Sequence, residues 1–263
     1  MSELKNKKLF LLDMDGTIYL DDDLFDGTLD FLEYVKKIGG RYMFLTNNSS
    51  KSVDKYIEKL EKLGISAKEE DFFTSTNATV DYLNTKSYKK IYAFGTKSFI
   101  EQLIDAGFNI TTELCDDIDC LCLGNDTELT FKKLDDACIL LNRGVDFIAT
   151  NPDWVCPTWY GYVPDCGSFA EMLTRATGKK PRFIGKPLPD MALSAIKISG
   201  FAPEETALIG DRLYTDIACG VNAGISTIFV LSGEGTMEDV EKSDTKPEFI
   251  YENIRKIYED LIK

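Results

Sequence analysis

The segment K-K-L-F-L-L-D-M-D-G-T-I-Y-L-D-D-D, Lys7 to Asp23, decides the fold. Its apolar run does not alternate with polar residues, which reads as a strand buried on both faces, the pattern of a parallel sheet covered by helices. Five aspartates then crowd into the eleven residues from Asp13 to Asp23. Charge at the mouth of a buried strand is unfavourable unless a metal ion or a lysine offsets it. A solvated acidic loop with no chemistry is the plain alternative, and the rest of the chain has to decide.

The pattern continues on both sides of a central block. Thr28 to Ile38 carries Leu29, Leu32, Val35 and Ile38 near helical spacing and stops at Gly39-Gly40. R-Y-M-F-L-T (41–46) is expected as a strand running into T-N-N-S-S. Ser52 is expected to cap a helix with Val53, Tyr56, Ile57, Leu60 and Leu63 on one face. Late in the chain P-R-F-I-G-K (181–186), T-A-L-I-G-D (206–211) and S-T-I-F-V-L-S-G (226–233) are expected as further strands of the same sheet. Between the halves, I-Y-A-F-G, C-L-C-L-G and D-F-I-A-T alternate with helical stretches, enough for a small sheet of their own. The expected fold class is therefore α/β: a Rossmann-like parallel sheet core, residues 1–78 and 181–263, with a smaller α/β cap domain, residues 79–180, inserted into it.

Composition narrows the function classes. Against 30 basic residues stand 44 acidic ones, a net charge of −14. That argues against nucleic acid or an anionic membrane as partner, because affinity for either needs basic surface. No stretch approaches the roughly 20 apolar residues of a spanning helix. The polar start M-S-E-L-K-N-K-K lacks a signal-peptide pattern. Seven cysteines without a C-x-x-C pair predict reduced packing thiols and a cytoplasmic protein; Cys120 and Cys122 are expected on opposite faces of a strand. There is no histidine, which excludes Ser-His-Asp and Cys-His nucleophile systems and histidine-based zinc sites. Acid–base work near neutral pH falls to carboxylates, lysine, cysteine or tyrosine.

In open parallel sheets, ligands bind outside the carboxyl ends of the strands. Four expected core strands end in reactive groups: Asp13 with Asp15, Thr46 with Asn47 and Asn48, Lys186, and Asp211 followed by Asp216. D-M-D-G-T, T-N-N, G-K-P and G-D-R-L-Y-T-D, in that order, resemble the four motifs of the haloacid dehalogenase superfamily. The likeness is to its phosphatase branch related to p-nitrophenyl phosphatases and to NagD-like proteins, which insert an α/β cap after the second motif. It spans essentially the whole chain, including N-P-D at 151–153. F-D-G-T at 25–28 lacks both the buried strand and the second aspartate, so Asp26 is expected to be only a loop or helix-start residue.

The resemblance implies a Mg²⁺-dependent hydrolase of small phosphorylated metabolites. Asp13 would be the nucleophile that forms an aspartyl-phosphate, and Asp15 the proton shuttle. Mg²⁺ would be held by Asp13, the Asp15 carbonyl and Asp211. Thr46, Asn47, Asn48 and Lys186 would bind the phosphate, with Asp216 orienting Lys186 or holding a metal-bound water. Selectivity would come from the cap, with Asp165, Cys166, Gly167 and Trp159 in P-T-W-Y-G-Y-V-P-D-C-G-S-F (157–169) as candidates; a surface loop with Trp159 packed inward is the alternative. Sugar phosphates, nucleotides and aryl phosphates are the expected substrate classes. Phosphomutase-type transfer, or a non-catalytic metabolite-binding protein on the same scaffold, are the competing readings, and a homodimer is expected from pairing of caps. Asp21, Asp22 and Asp23 are expected in a solvated loop beside the cap hinge.

Overall fold

The computed structural model describes residues 3–263. Leu9–Leu12 forms the central strand of a six-stranded sheet, with Arg41–Thr46 and Phe72–Thr74 on one side and Thr206–Gly210, Ser226–Val230 and Phe249–Tyr251 on the other. Every pairing is parallel. Both faces are buried, as the unbroken apolar run requires. Phe10 and Leu12 join the cluster with Phe31, Val35, Phe44 and Ile209, whereas Leu9 and Leu11 face Met43, Leu45, Met191 and Leu208. That two-sided burial is the fold's main source of stability. The order of strands reverses direction at Leu9–Leu12, so its carboxyl end, Asp13, lies at the crevice where such sheets bind ligands.

A second parallel sheet contains Ile91–Phe94, Ile110–Thr111, Cys120–Leu123 and Asp146–Ala149. Its fifth strand is Arg182–Phe183, paired with Asp146–Ala149. This corrects the assignment of 181–186 to the core sheet. The strand is two residues long and completes the edge of the inserted sheet before the chain crosses to Lys186. The two sheets also share apolar packing: Ile91, Ala93, Cys120, Cys122 and Ile148 belong to the same buried cluster as Leu9 and Leu11. Cys120 and Cys122 therefore lie on one face, not opposite faces, because strand side chains repeat with a period of two.

Local details differ from expectation in three further places. Ser52 stands at the start of the helix Val53–Lys62, but its side chain makes no capping bond. Leu29 is exposed; the buried face of the helix Thr28–Lys37 is made by Phe31, Leu32 and Val35. The aromatic stretch after residue 154 is a β-hairpin, Val155–Thr158 with Gly161–Pro164, with Trp159 at its tip, 83% exposed. Trp159 thus neither packs inward nor lines the cleft described below. The hairpin's cross-strand ladder, absent from any apolar alternation in the sequence, projects it outward.

The hairpin meets the core at Asp21, whose carboxylate accepts the backbone N–H of Trp159. Asp21 itself turns between Tyr19–Leu20 and Asp23–Leu24 with a left-handed φ of 48°, a conformation aspartate tolerates better than most residues. It is a contact to the inserted unit and not merely solvated charge. Asp26 behaves as expected: it is exposed and paired with Arg255 of the terminal helix at 2.7 Å. Among the described residues, no helix is long and apolar enough to cross a membrane.

Candidate active site

The four segments separated by most of the chain converge. Lys186, only 1% exposed, places Nζ 2.6 Å from Asp13 Oδ1 and 2.6 Å from Asp216 Oδ1, and donates to the Leu45 carbonyl at 2.8 Å. Its backbone is clamped by Asn47, whose Oδ1 accepts the Lys186 N–H at 2.9 Å and whose Nδ2 donates to the Lys186 carbonyl at 3.0 Å. This needs Gly185: a Cβ there would stand 2.5 Å from Asn47 Oδ1. The Asn47 side chain is therefore a buttress for the lysine. The Asn48 amide oxygen is likewise occupied, accepting the backbone N–H and hydroxyl of Ser50 at 2.9 and 2.7 Å.

Asp13 emerges from the central strand, with Oδ2 3.4 Å from the Thr17 hydroxyl. Asp211 ends the neighbouring strand. Its Oδ2 accepts the Glu234 N–H at 2.7 Å, whereas its buried Oδ1 has no hydrogen-bond partner. The Asp211 carboxylate packs onto Gly16, where a Cβ would come within 2.5 Å and φ is +88°, so both space and backbone demand glycine. Asp216 lies in a π-helical turn, Leu213–Ile217, that aims its carboxylate back at Lys186 while Oδ2 accepts the Arg212 N–H at 3.0 Å. Oxygens of Asp13, Asp211 and Asp216 lie within 4.8 Å of one another.

Asp13 and Asp216 thus share one ammonium, with the buried Asp211 beside them. Burial, and then the Asp216 charge, push Asp13 well above the ordinary carboxylate value, against the pull of Lys186. Burial raises Asp211 to about 7, with Arg212 opposing. Burial works against the Lys186 charge, but Asp13 and Asp216 outweigh it and hold the ammonium above the usual lysine range. This all-oxygen set, its surplus negative charge and the unpartnered Asp211 Oδ1 fit a divalent cation such as Mg²⁺. Asp15 is separate from the cluster. Its side chain is 25% exposed, 4.0 Å from Lys59 Nζ, and burial raises its pKa against the effects of Lys59 and Lys51.

A narrow cleft over the site is lined by Asp13, Asp15, Thr46, Asn47, Asn48 and Arg212 of the core and by Asp153, Cys156, Pro157 and Asp165 of the inserted unit. Of the cap candidates, only Asp165 reaches it. Asp165 begins the helix Cys166–Thr177 and accepts from Asn151 Nδ2 at 3.2 Å, and burial raises it to about 7, with Asp153 adding to the effect. Cys166 is instead fully buried, its thiol against Thr150 and the Leu123 carbonyl, and Gly167 is pressed onto the Pro152 backbone. Both serve packing at the helix start, because a helix entered at Asp165 turns the next residues inward. Arg212, Cys156 and Lys59 were not singled out from sequence, and Asp153 only as the last residue of N-P-D. Arg212 carried a signal, a charge inside the otherwise assigned G-D-R-L-Y-T-D; Lys59 carried none among the lysines of its helix.

Two family models match the chain, that of haloacid dehalogenase-like hydrolases over residues 10–109 and an HAD-hydrolase-like model over 183–257. Acid sugar phosphatase of Staphylococcus aureus is 34% identical over 261 residues, 99% of this chain and 100% of its own. The crystal structure of 4-nitrophenylphosphatase from Thermotoga maritima superposes with a TM-score of 0.92 at 39% identity, covering 99% and 100% of the two chains. Glycerol phosphate phosphatase from Mycobacterium tuberculosis, solved in complex with calcium, gives 0.89 at 28% identity, over 98% of this chain and 76% of that one. The chain belongs to the haloacid dehalogenase-like hydrolases. Within that family it falls in the NagD-like, p-nitrophenyl phosphatase-like group, and it is a phosphatase, a phosphoric monoester hydrolase.

Proposed function

We propose that this chain is a Mg²⁺-dependent phosphatase of small phosphomonoesters, of the sugar phosphate, nucleotide or aryl phosphate class, working through an aspartyl-phosphate on Asp13. The observation that carries the proposal is the Asp13–Lys186–Asp216 ion-pair chain beside Asp211, all buried at one end of the central strand. Lys186 holds Asp13 Oδ1, leaving Oδ2, with only its long Thr17 contact, to attack phosphorus. As the Oδ2–P bond forms, the P–O bond to the leaving group breaks and Asp15 gives that oxygen its proton. A raised pKa suits Asp15 to carry that proton toward neutral pH. In the second half, Asp15 takes a proton from water, the water oxygen attacks phosphorus, and the bond to Asp13 breaks to release phosphate.

Asp13, Asp211 and the Asp15 carbonyl would hold Mg²⁺, which when bound supplies neutralisation of the phosphoryl oxygens. Thr46 and the Asn47 backbone amide line the cleft where those oxygens would sit. The inserted unit, with its edge strand Arg182–Phe183, acts as the cap. The closed cleft leaves a cavity of only about 20 Å³, little more than a single water needs, so the cap must open to admit an ester. On its side, the Asp165 carboxyl suits leaving groups that present hydroxyl donors.

Hydrolysis of p-nitrophenyl phosphate and a panel of sugar, glycerol and nucleoside monophosphates, with Mg²⁺, tests the proposal. A rapid acid quench should leave a phosphoryl group on the peptide carrying Asp13, and Asp13→Asn should abolish turnover. Parent-like turnover by that variant would refute the assignment. Phosphate appearing on another hydroxyl, instead of free in solution, would make the chain a mutase.

A further inference from the structure

Closing the cap sets acid against acid. On the core side the cleft presents Asp13 and Asp15, on the cap side Asp153 and Asp165, and of its ten lining residues only Arg212 is basic. Like charges brought together in a water-poor seam oppose closure unless a cation lies between them.

We propose that Arg212 is a positioning residue that ties cap closure to the geometry of the catalytic carboxylates. This rests on the phosphatase reading of the site. Arg212 is 11% exposed and each arm of its guanidinium is occupied. Nε lies 2.7 Å from Glu234 Oε2 on the core. Nη2 donates to the Val155 carbonyl at 3.2 Å and Nη1 stands 3.6 Å from Asp153 Oδ1, both on the inserted unit. Asp153 Oδ1 is buried and has no hydrogen bond of its own, so Arg212 is the charge that compensates it.

The core end of this link is built into the site. The Arg212 N–H holds Asp216 Oδ2, and Glu234, which receives Arg212 Nε, gives its own N–H to Asp211 Oδ2. The core contacts close a ring through Arg212, Glu234 and Asp211, and a docked cap fastens Val155 and Asp153 to it. An undocked cap leaves the guanidinium held at one end only. The contacts that Arg212 makes are to Glu234, Val155 and Asp153, and the proposed role runs through these neighbours.

A double-mutant cycle tests this, using the Mg²⁺-loaded parent, R212Q, D153N and the double variant. Two readouts are taken: kcat/KM for p-nitrophenyl phosphate, and amide hydrogen exchange across 155–164. Each single variant should lose about tenfold in kcat/KM, a coupling near the middle of the range for contacting charges, and the hairpin should exchange faster. The double variant should be no worse than R212Q. Losses that multiply, or hairpin exchange in R212Q equal to the parent's, would overturn the proposal. If R212Q does not fold, R212K keeps the charge but not the fork. It should fold with faster hairpin exchange, and parent-like values in both readouts would equally overturn the proposal. Hairpin exchange is read without substrate. A parent inactive on every phosphate ester would therefore sink the phosphatase reading while the exchange data still decide the role of Arg212.

Discussion

Replacing Lys186 by methionine keeps the bulk of the side chain and removes its charge. Lys186 is the sole ammonium in contact with Asp13 and Asp216 among the described residues, at 2.6 Å from each. Removing one partner of a buried ion pair destabilises by about 3–5 kcal/mol. For a chain of this size each kcal/mol moves the melting temperature by about 2–4 °C, so a drop on the order of 10 °C is expected at pH 8. The deficit should depend on pH. Asp13 is already raised in the folded protein, chiefly by burial, and loses its strongest compensating charge in the variant. A carboxyl whose folded pKa lies above its unfolded value stabilises below the unfolded value and loses that contribution as pH rises through the folded one. K186M should therefore approach the parent near pH 4.5 and fall away toward pH 8. Adding D216N should recover part of the loss by removing one uncompensated charge. Differential scanning fluorimetry across pH, in metal-free buffer, reads all three quantities. A deficit that is flat with pH, or a double variant no more stable than K186M, would refute the charge-compensation account.

Metal should act on the same surplus. Adding Mg²⁺ to chelator-treated protein is expected to raise the melting temperature, more at pH 8 than at pH 5 because Asp211 titrates at about 7; an unchanged melting curve would remove the metal assignment. Asp165 is also raised to about 7, so in metal-free parent its contribution declines as pH rises from about 4 through 7. D165N should flatten the pH dependence of stability over that window, and an unchanged slope would show that Asp165 is not the titrating group. Asp26→Ala, which breaks only an exposed pair with Arg255, should leave phosphatase kinetics at parent values; a large loss of kcat would restore Asp26 to the site.

What the sequence made legible was the chemistry at strand ends. An unbroken apolar run before D-M-D-G-T points to a strand buried on both faces, and burial of Leu9 to Leu12 follows from it. Lys186 was identifiable because Gly185 and Pro187 frame it at a strand end. The strand that delivers it was misassigned, because pairing between distant segments leaves no mark in a two-residue strand. The cap was less legible for a related reason. In P-T-W-Y-G-Y-V-P the aromatics look like a core or a binding face, yet the hairpin ladder sends Trp159 into solvent. Arg212 was hidden by its neighbours: a motif defined by Asp211 and Asp216 draws attention away from the charge between them. Its role depends on Asp153, far off in sequence and reached only when both units are folded.

The crossing from Arg182–Phe183 to Lys186 limits how this enzyme can be rebuilt. Because that short strand hydrogen-bonds to the inserted sheet, a chimera joined at 180/181 would leave Asp146–Ala149 without its native neighbour. The exposed edge would then invite pairing between molecules. The graft would also replace the sheet that anchors the backbone three residues ahead of the lysine. A transplanted cap would need to bring residues 181–184 with it, so new leaving-group preferences are better sought by changing side chains within the existing cap than by exchanging it whole.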